Sequence, residues 1–176
     1  MPTITTTASP QATDTRARSR TRPAVLWSGR RRAAVRALES DLVLPVLAAR
    51  AAAVVMVGIA AFQVALVFGA PWGVYTQGGE TEGALDTSGR LFAAVSCAVL
   101  LVLAAAILGR VREGPLKNAP RRLVTALAWF TTIYAALSVV LNLATQSSSE
   151  RAVFAPIAIL LFVLVVTTMV GSRRTR

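Results

Sequence analysis

Four stretches of this chain run without a single charged side chain: residues 51–70, 91–108, 123–144 and 152–171. They hold 20, 18, 22 and 20 residues. A helix rises about 1.5 Å per residue, so each can cross roughly 30 Å of hydrocarbon, the second only just. A membrane strand would need alternation over about ten residues. The run "CAVLLVLAAAIL" in the second stretch does not alternate. The pattern predicts an all-α fold, a polytopic membrane four-helix bundle over residues 48–171.

The flanks read differently. Residues 1–32 are rich in Thr, Ser, Pro and Arg, with too few bulky apolar groups to offset the entropy of ordering. A disordered basic tail is expected there, and no apolar core of a signal peptide follows its arginines. Residues 33–47, "AAVRALESDLVLPVL", place Ala34, Leu38, Leu42 and Val46 four apart, with Arg36, Glu39 and Asp41 on the wetter side. That predicts a short helix along the membrane surface, with Pro45 disturbing any longer one. Residues 172–176 form a second basic tail.

Charge then sets the orientation. Nine arginines precede the first span, five Lys and Arg lie between the second and third, and three close the chain. The other connections carry only Arg90 and Arg151. Basic residues stay on the cytoplasmic side, so both termini are expected in the cytoplasm of a bacterial inner membrane. Arginine outnumbers lysine 18 to 1, and alanine is abundant, which fits a high-GC genome.

Composition agrees with burial in lipid. Hydrophobic residues are 55% of the chain and charged ones 15%, against about 25% charged in soluble domains. The formal net charge of +11 suits anionic lipid headgroups at the cytoplasmic face. No zinc-finger spacing, RNP-like motif or recognition helix accompanies it, so no nucleic acid is expected as a partner. The lone Cys97 can form no internal disulfide and reads as a small packing residue. There is no histidine. Neither a nucleophile elbow, a phosphate loop nor a metal motif is present. The expectation is therefore no catalytic residue, no metal and no cofactor.

Within the spans, small residues and polar groups decide which faces meet. Ala61, Ala65 and Gly69 in the first span, and Ala94, Ala98 and Ala105 in the second, are candidates for close approach. In the third, Thr131, Tyr134, Ser138 and Asn142 recur at three- and four-residue intervals on one stripe. Gln63 is the other amide within a span. An unpaired amide in hydrocarbon costs several kcal/mol, so these groups are expected to face inward. They serve either as interhelical glue, at roughly 0.6–2 kcal/mol per hydrogen bond, or as a polar cleft for a small ligand; glue is the simpler reading. No Asp, Glu, Lys or Arg falls inside the four stretches, which argues against a proton-coupled exporter though not against a facilitator.

Two connections stand out. After the first span, "FGAPWGVYTQGG" breaks the helix with Gly69, Pro71 and Gly73. It places Trp72 and Tyr75 where an aromatic belt sits at the headgroups. The loop that follows, "GGETEGALDTSG", reads as flexible and acidic. The short "TQSSSER" makes the last two spans a tight hairpin. Glu150 suits the positive end of the fourth helix, beside Arg151, and Pro156 lies in its first turns. Asn142, Glu150 and Arg151 are expected to hydrogen-bond the glycine-rich turn and fix it as a clasp over the bundle.

These two segments together resemble a group of small four-helix bacterial integral membrane proteins of unknown function. The matching residues are Gly69, Ala70, Pro71, Trp72, Gly73, Gly78 and Gly79, then Asn142, Ala144, Ser149, Glu150, Arg151 and Pro156. The resemblance spans roughly residues 48–170, leaves out the basic tail, and departs from the group in its more acidic first loop. It implies the fold and no activity. The functional expectation is a non-enzymatic structural, accessory or lipid-contacting subunit, paired with itself or with another membrane protein. The alternatives are a small oligomeric transporter or channel component for an uncharged or amphiphilic solute, and a lipid-modifying enzyme acting through Glu150. The candidate structural or ligand cluster is Gln63, Pro71, Trp72, Gly73, Tyr134, Ser138, Asn142, Glu150 and Arg151.

Overall fold

The computed structural model describes the backbone of residues 22–174 and the side chains of residues 43–172. Helix α1 spans Arg22–Val67, α2 Thr87–Arg110, α3 Arg121–Ala144 and α4 Ser148–Arg174. Among the described residues there is no strand. All four helices contain a segment long and apolar enough to cross a membrane: Val43–Val67, Thr87–Arg110, Arg121–Ala144 and Ser148–Ser172. The architecture is that of an all-α, multi-pass membrane bundle.

The chain divides into two units between Leu38 and Glu39. In the first, the described backbone is helical from Arg22 onward. Of the expected basic tail, residues 1–21 lie outside the described residues. The expected surface helix over 33–47 is cut by the same division. Residues 39–47 are continuous with the first span, and Pro45 sits inside the helix.

Proline within a helix loses a backbone hydrogen bond and costs ~3 kcal/mol or more. Here packing opposes that cost, because Pro45 is buried against Gly171 of α4. A Cβ on Gly171 would stand 2.9 Å from that of Pro45, so α4 meets α1 closely only where a side chain is missing. The first span therefore begins earlier than the sequence suggests and takes in Arg50. That residue escapes hydrocarbon by pairing with Glu113 in the α2–α3 connection, at 2.6 Å.

The core is made of small and branched residues. Ala52, Ala53, Met56 and Ala60 of α1 pack with Leu100, Leu103, Ala104 and Ile107 of α2, Ala135 of α3, and Leu161 and Val165 of α4. The faces expected from alanine spacing are used only in part: Ala65, Gly69 and Ala105 are half-buried. Ala61, Ala94 and Ala98 are exposed, while the neighbouring Ala60 and Ala93 are buried. In a segment apolar all round, spacing alone does not say which face turns inward; the partner helix does.

Each helix end has a physical cause. At the end of α1, Gly69 takes φ 91°. The N–H of Gly69 donates to Leu66 O at 3.0 Å, and that of Ala70 to Ala65 O at 2.9 Å. This is the paired closure that a left-handed glycine permits. Helix α2 starts on Asp86, whose carboxylate accepts from the Gly89 N–H at 2.8 Å. The backbone N–H of Gly89 and the Ser88 hydroxyl hold the Asp86 carboxyl below its ordinary range.

Candidate functional site

The first and third connections meet at one end of the bundle. The α1–α2 connection is not an open loop. It folds into two short 3₁₀ turns, Gly73–Tyr75 and Gln77–Gly79, and its Leu85 is buried with Leu66 and Ala93. The Gln77 side chain donates to Gly89 O at 2.9 Å, and the Gly73 N–H to Gly83 O at 2.9 Å. These bonds hold the connection as a cap over this end of the bundle.

The α3–α4 connection holds that cap. Ser147 precedes the first residue of α4, and Glu150 lies three residues after it. This is the spacing of a capping box. Ser147 Oγ accepts from the Glu150 N–H at 3.2 Å, as such a box requires. The Glu150 carboxylate does not close the box locally. Its Oε2 instead accepts from the Gly78 N–H at 3.0 Å and from the Thr145 hydroxyl at 3.0 Å. Ser147 Oγ donates in turn to Val74 O at 3.1 Å. Two residues of α4's start thus bond two residues of a turn more than seventy positions away in sequence.

Gly79 makes the approach possible. Its φ is +72°, and a Cβ there would collide with the side chain of Ser147 and stand 2.9 Å from Val74 O. Only glycine satisfies both conditions.

The expected clasp is therefore corrected in its members. Glu150 reaches the turn, but Asn142 and Arg151 do not. The Asn142 amide donates to Ser138 O at 2.8 Å and Ser138 Oγ at 3.2 Å within α3. Arg151 donates to Thr145 O at 3.4 Å and forms no ion pair with Glu150. Asn142 lies two residues before the end of α3, and its amide is taken up by Ser138 one turn back on the same helix. Arg151 is exposed and bonds only the chain preceding its own helix. Ser147, Thr145 and Val74 carry the contact and were not singled out by the sequence. The Ser-x-x-Glu spacing was the available signal, but it announces a local cap and not a tertiary one.

Beneath the cap lies a cavity of about 150 Å³. Gln63 of α1, Ser96 of α2, Tyr134, Ser138 and Asn142 of α3, and Glu150 of α4 contribute polar groups to its wall. The stripe predicted on α3 turns inward, and three of its four members line the cavity. The fourth, Thr131, is fully buried but donates back to Leu127 O at 2.8 Å, inside its own helix. Hydroxyl groups in helices often satisfy themselves this way.

Outside the cavity, Trp72 stacks on Phe62 with ring centroids 5.8 Å apart and planes 6° from parallel. Phe62 also packs on Phe154 at 5.2 Å and 58°. Pro71 is exposed and Gly73 buried, both within the cap. Among the described residues no group of three His, Cys, Asp or Glu side chains is placed to hold a metal ion.

Of the nine sequence candidates, Pro71, Trp72 and Gly73 lie in the cap, Gln63, Tyr134, Ser138, Asn142 and Glu150 line the cavity, and Arg151 is exposed outside both. Comparison with protein-family models, curated proteins and solved structures found no match to the chain.

Proposed function

We propose that this protein is a non-enzymatic integral membrane protein of the bacterial cytoplasmic membrane, a structural or accessory subunit in direct contact with lipid. Both termini face the cytoplasm, and anionic headgroups gather at that side. The observation that carries the reading is the bundle's outer surface. Large apolar side chains stand exposed on every helix, among them Val54, Phe92, Phe130, Ile133, Leu160 and Val163. A surface of this kind is solvated by acyl chains or by another membrane protein, not by water.

Several features support the finer points. The basic residues Arg110, Arg112, Lys117, Arg121 and Arg122 gather at the end opposite the cap. That end also holds the Arg50–Glu113 pair. The cap end carries the acidic Glu80, Glu82 and Asp86. Glu150 is occupied by two hydrogen-bond donors, which suits a structural acceptor better than an acid or base in catalysis. The resemblance to small four-helix bacterial membrane proteins points the same way, and a second copy of the chain or another helical membrane protein is the natural neighbour.

The test is topological. A cytoplasm-active reporter fused behind Arg176 is expected to work, and a periplasm-active one to stay silent. The reverse result, or a chain that stays dissolved without detergent, overturns the proposal.

A second reading, an oligomeric transporter or channel component for an uncharged or amphiphilic solute, is favoured by the polar cavity. Flux of such a solute into liposomes containing the purified protein, absent from empty liposomes, would select it.

A further inference from the structure

The polar cavity does not stand alone. Beside it, on the surface between α1 and α4, runs an apolar groove of about 580 Å³. Val55, Gly58, Trp72, Val153 and Leu160 line it. Cavity and groove share the wall formed by Ile59, Phe62, Tyr75, Phe154 and Ile157. A polar chamber inside the bundle thus borders an apolar channel facing the acyl region. Trp72 and Tyr75 stand at the mouth.

Three observations point to an occupant. First, Gln63, Ser96 and Tyr134 line the chamber, and their side chains make no hydrogen bond to another described residue. Their polar atoms are not sealed against protein either. Polar groups in an apolar bundle stay unpaired only where something else can reach them. Second, no Lys or Arg lines the chamber, and its one acidic side chain is Glu150. A phosphate would enter without a counter-charge and face a carboxylate. Third, the groove passes over Gly58, where a Cβ would meet nothing within 4 Å. The groove floor there is backbone, and an extended chain can lie against it.

We infer that the chamber and groove together bind one single-chain amphiphile with a small, neutral, hydroxyl-bearing head, of the monoacylglycerol class. The head sits among Gln63, Ser96, Tyr134 and Ser138, and the acyl chain reaches the groove by parting the Phe62–Phe154 ring contact in their shared wall. The size fits: a cavity of about 150 Å³ takes up a benzene-sized molecule, and glycerol has the heavy-atom count of benzene. The inference rests on the lipid-contacting reading above and gives it a defined ligand class and site.

Two substitutions test it without disturbing the packed core. Gly58→Leu fills the groove from an open position and replaces the poorer helix former with a better one. Gln63→Leu removes an amide that has no protein partner. Both variants are expected to melt no lower than the wild type. The full chain in phosphocholine nanodiscs is titrated with 1-monooleoylglycerol, and bound ligand is counted by native mass spectrometry. The wild type is expected to retain one molecule, with each variant about tenfold weaker, the loss expected for one good hydrogen bond or a blocked chain path.

Oleyl phosphate is expected not to compete. Wild-type protein that inserts with the proposed topology yet retains no monooleoylglycerol overturns the inference and leaves the membrane reading standing. Unchanged binding in Gly58→Leu overturns it as well, and so does equal competition by oleyl phosphate or by oleylamine.

Discussion

Replacing Glu150 by alanine probes the junction between the two connections most directly. The substitution removes one acceptor oxygen that serves the Gly78 N–H and the Thr145 hydroxyl, both at 3.0 Å. Hydrogen bonds to a charged acceptor contribute about 1.5–3 kcal/mol each when sheltered, and less when wet. The bond to Gly78 is exposed and that to Thr145 part-buried, so neither reaches the upper figure. The carboxylate also lies in the first turn of α4, where it complements the helix dipole by about 0.3–1 kcal/mol. Against this, Gly78 and Thr145 regain water in the variant, which returns part of the loss.

The expected net destabilisation is about 2 kcal/mol, or roughly 5 °C in melting temperature for a domain of this size. The measurement is thermal unfolding in a mild detergent, followed by the fluorescence of Trp72 in its stack on Phe62. To isolate it, Trp27 and Trp129 are replaced by phenylalanine in the reference protein. Glu150→Gln keeps an acceptor oxygen and is expected to fall between wild type and alanine. Thr145→Val is expected to lose about 1 kcal/mol alone and less in the Glu150→Ala background, because the two residues share one bond. Identical melting curves for wild type and Glu150→Ala would falsify the clasp, and full additivity in the cycle would remove Thr145 from it.

Further outcomes follow from the same geometry. Gly79→Ala is expected to cost more than Gly83→Ala in the same melting assay. Both have positive φ, but only at position 79 does the new methyl collide with neighbours; the backbone contribution common to both is roughly 1–2 kcal/mol. Ser147→Ala, which removes a helix cap and the tie to Val74, is expected to cost about 1–2 kcal/mol. Breaking the ion pair with Arg50→Met is expected to leave the melting temperature nearly unchanged, because both side chains retain substantial exposure.

Acidification acts on two carboxyls: the Gly89 N–H and Ser88 hydroxyl depress Asp86, and hydrogen bonding to Arg50 depresses Glu113. Each is held lower in the folded state than in the unfolded one. Their stabilisation is therefore present at neutral pH and lost as pH falls through the folded values. Melting temperature is expected to be level near neutrality and to decline below about pH 4. The double variant Asp86→Asn, Glu113→Gln is expected to flatten that decline, and an equally steep one would exclude these groups as its cause.

Much of the fold was legible because hydrocarbon imposes a blunt rule. A segment crossing it must satisfy its own backbone and carry few charges, and four uninterrupted apolar runs admit one solution. The three polar residues Tyr134, Ser138 and Asn142 were legible as a shared wall because helical spacing puts them on one face. Arg50 was read as a flanking charge because nothing local announces Glu113, 63 positions further on. Pro45 was read as a break for the same kind of reason. Its tolerance depends on Gly171, which only the meeting of α1 with α4 brings beside it.

The sequence by itself determined how many helices there are, roughly where they lie, and which residues on α3 share a face. Those properties follow from hydropathy and period, which act over neighbouring residues. Tertiary structure alone decided which alanines are buried, that Glu150 reaches Gly78 while Asn142 turns back to Ser138, and that a polar chamber adjoins an apolar groove. Such features depend on the distance between elements remote in the chain. In lipid, where every face of an apolar helix is about equally soluble, only close packing and the few available hydrogen bonds set that distance.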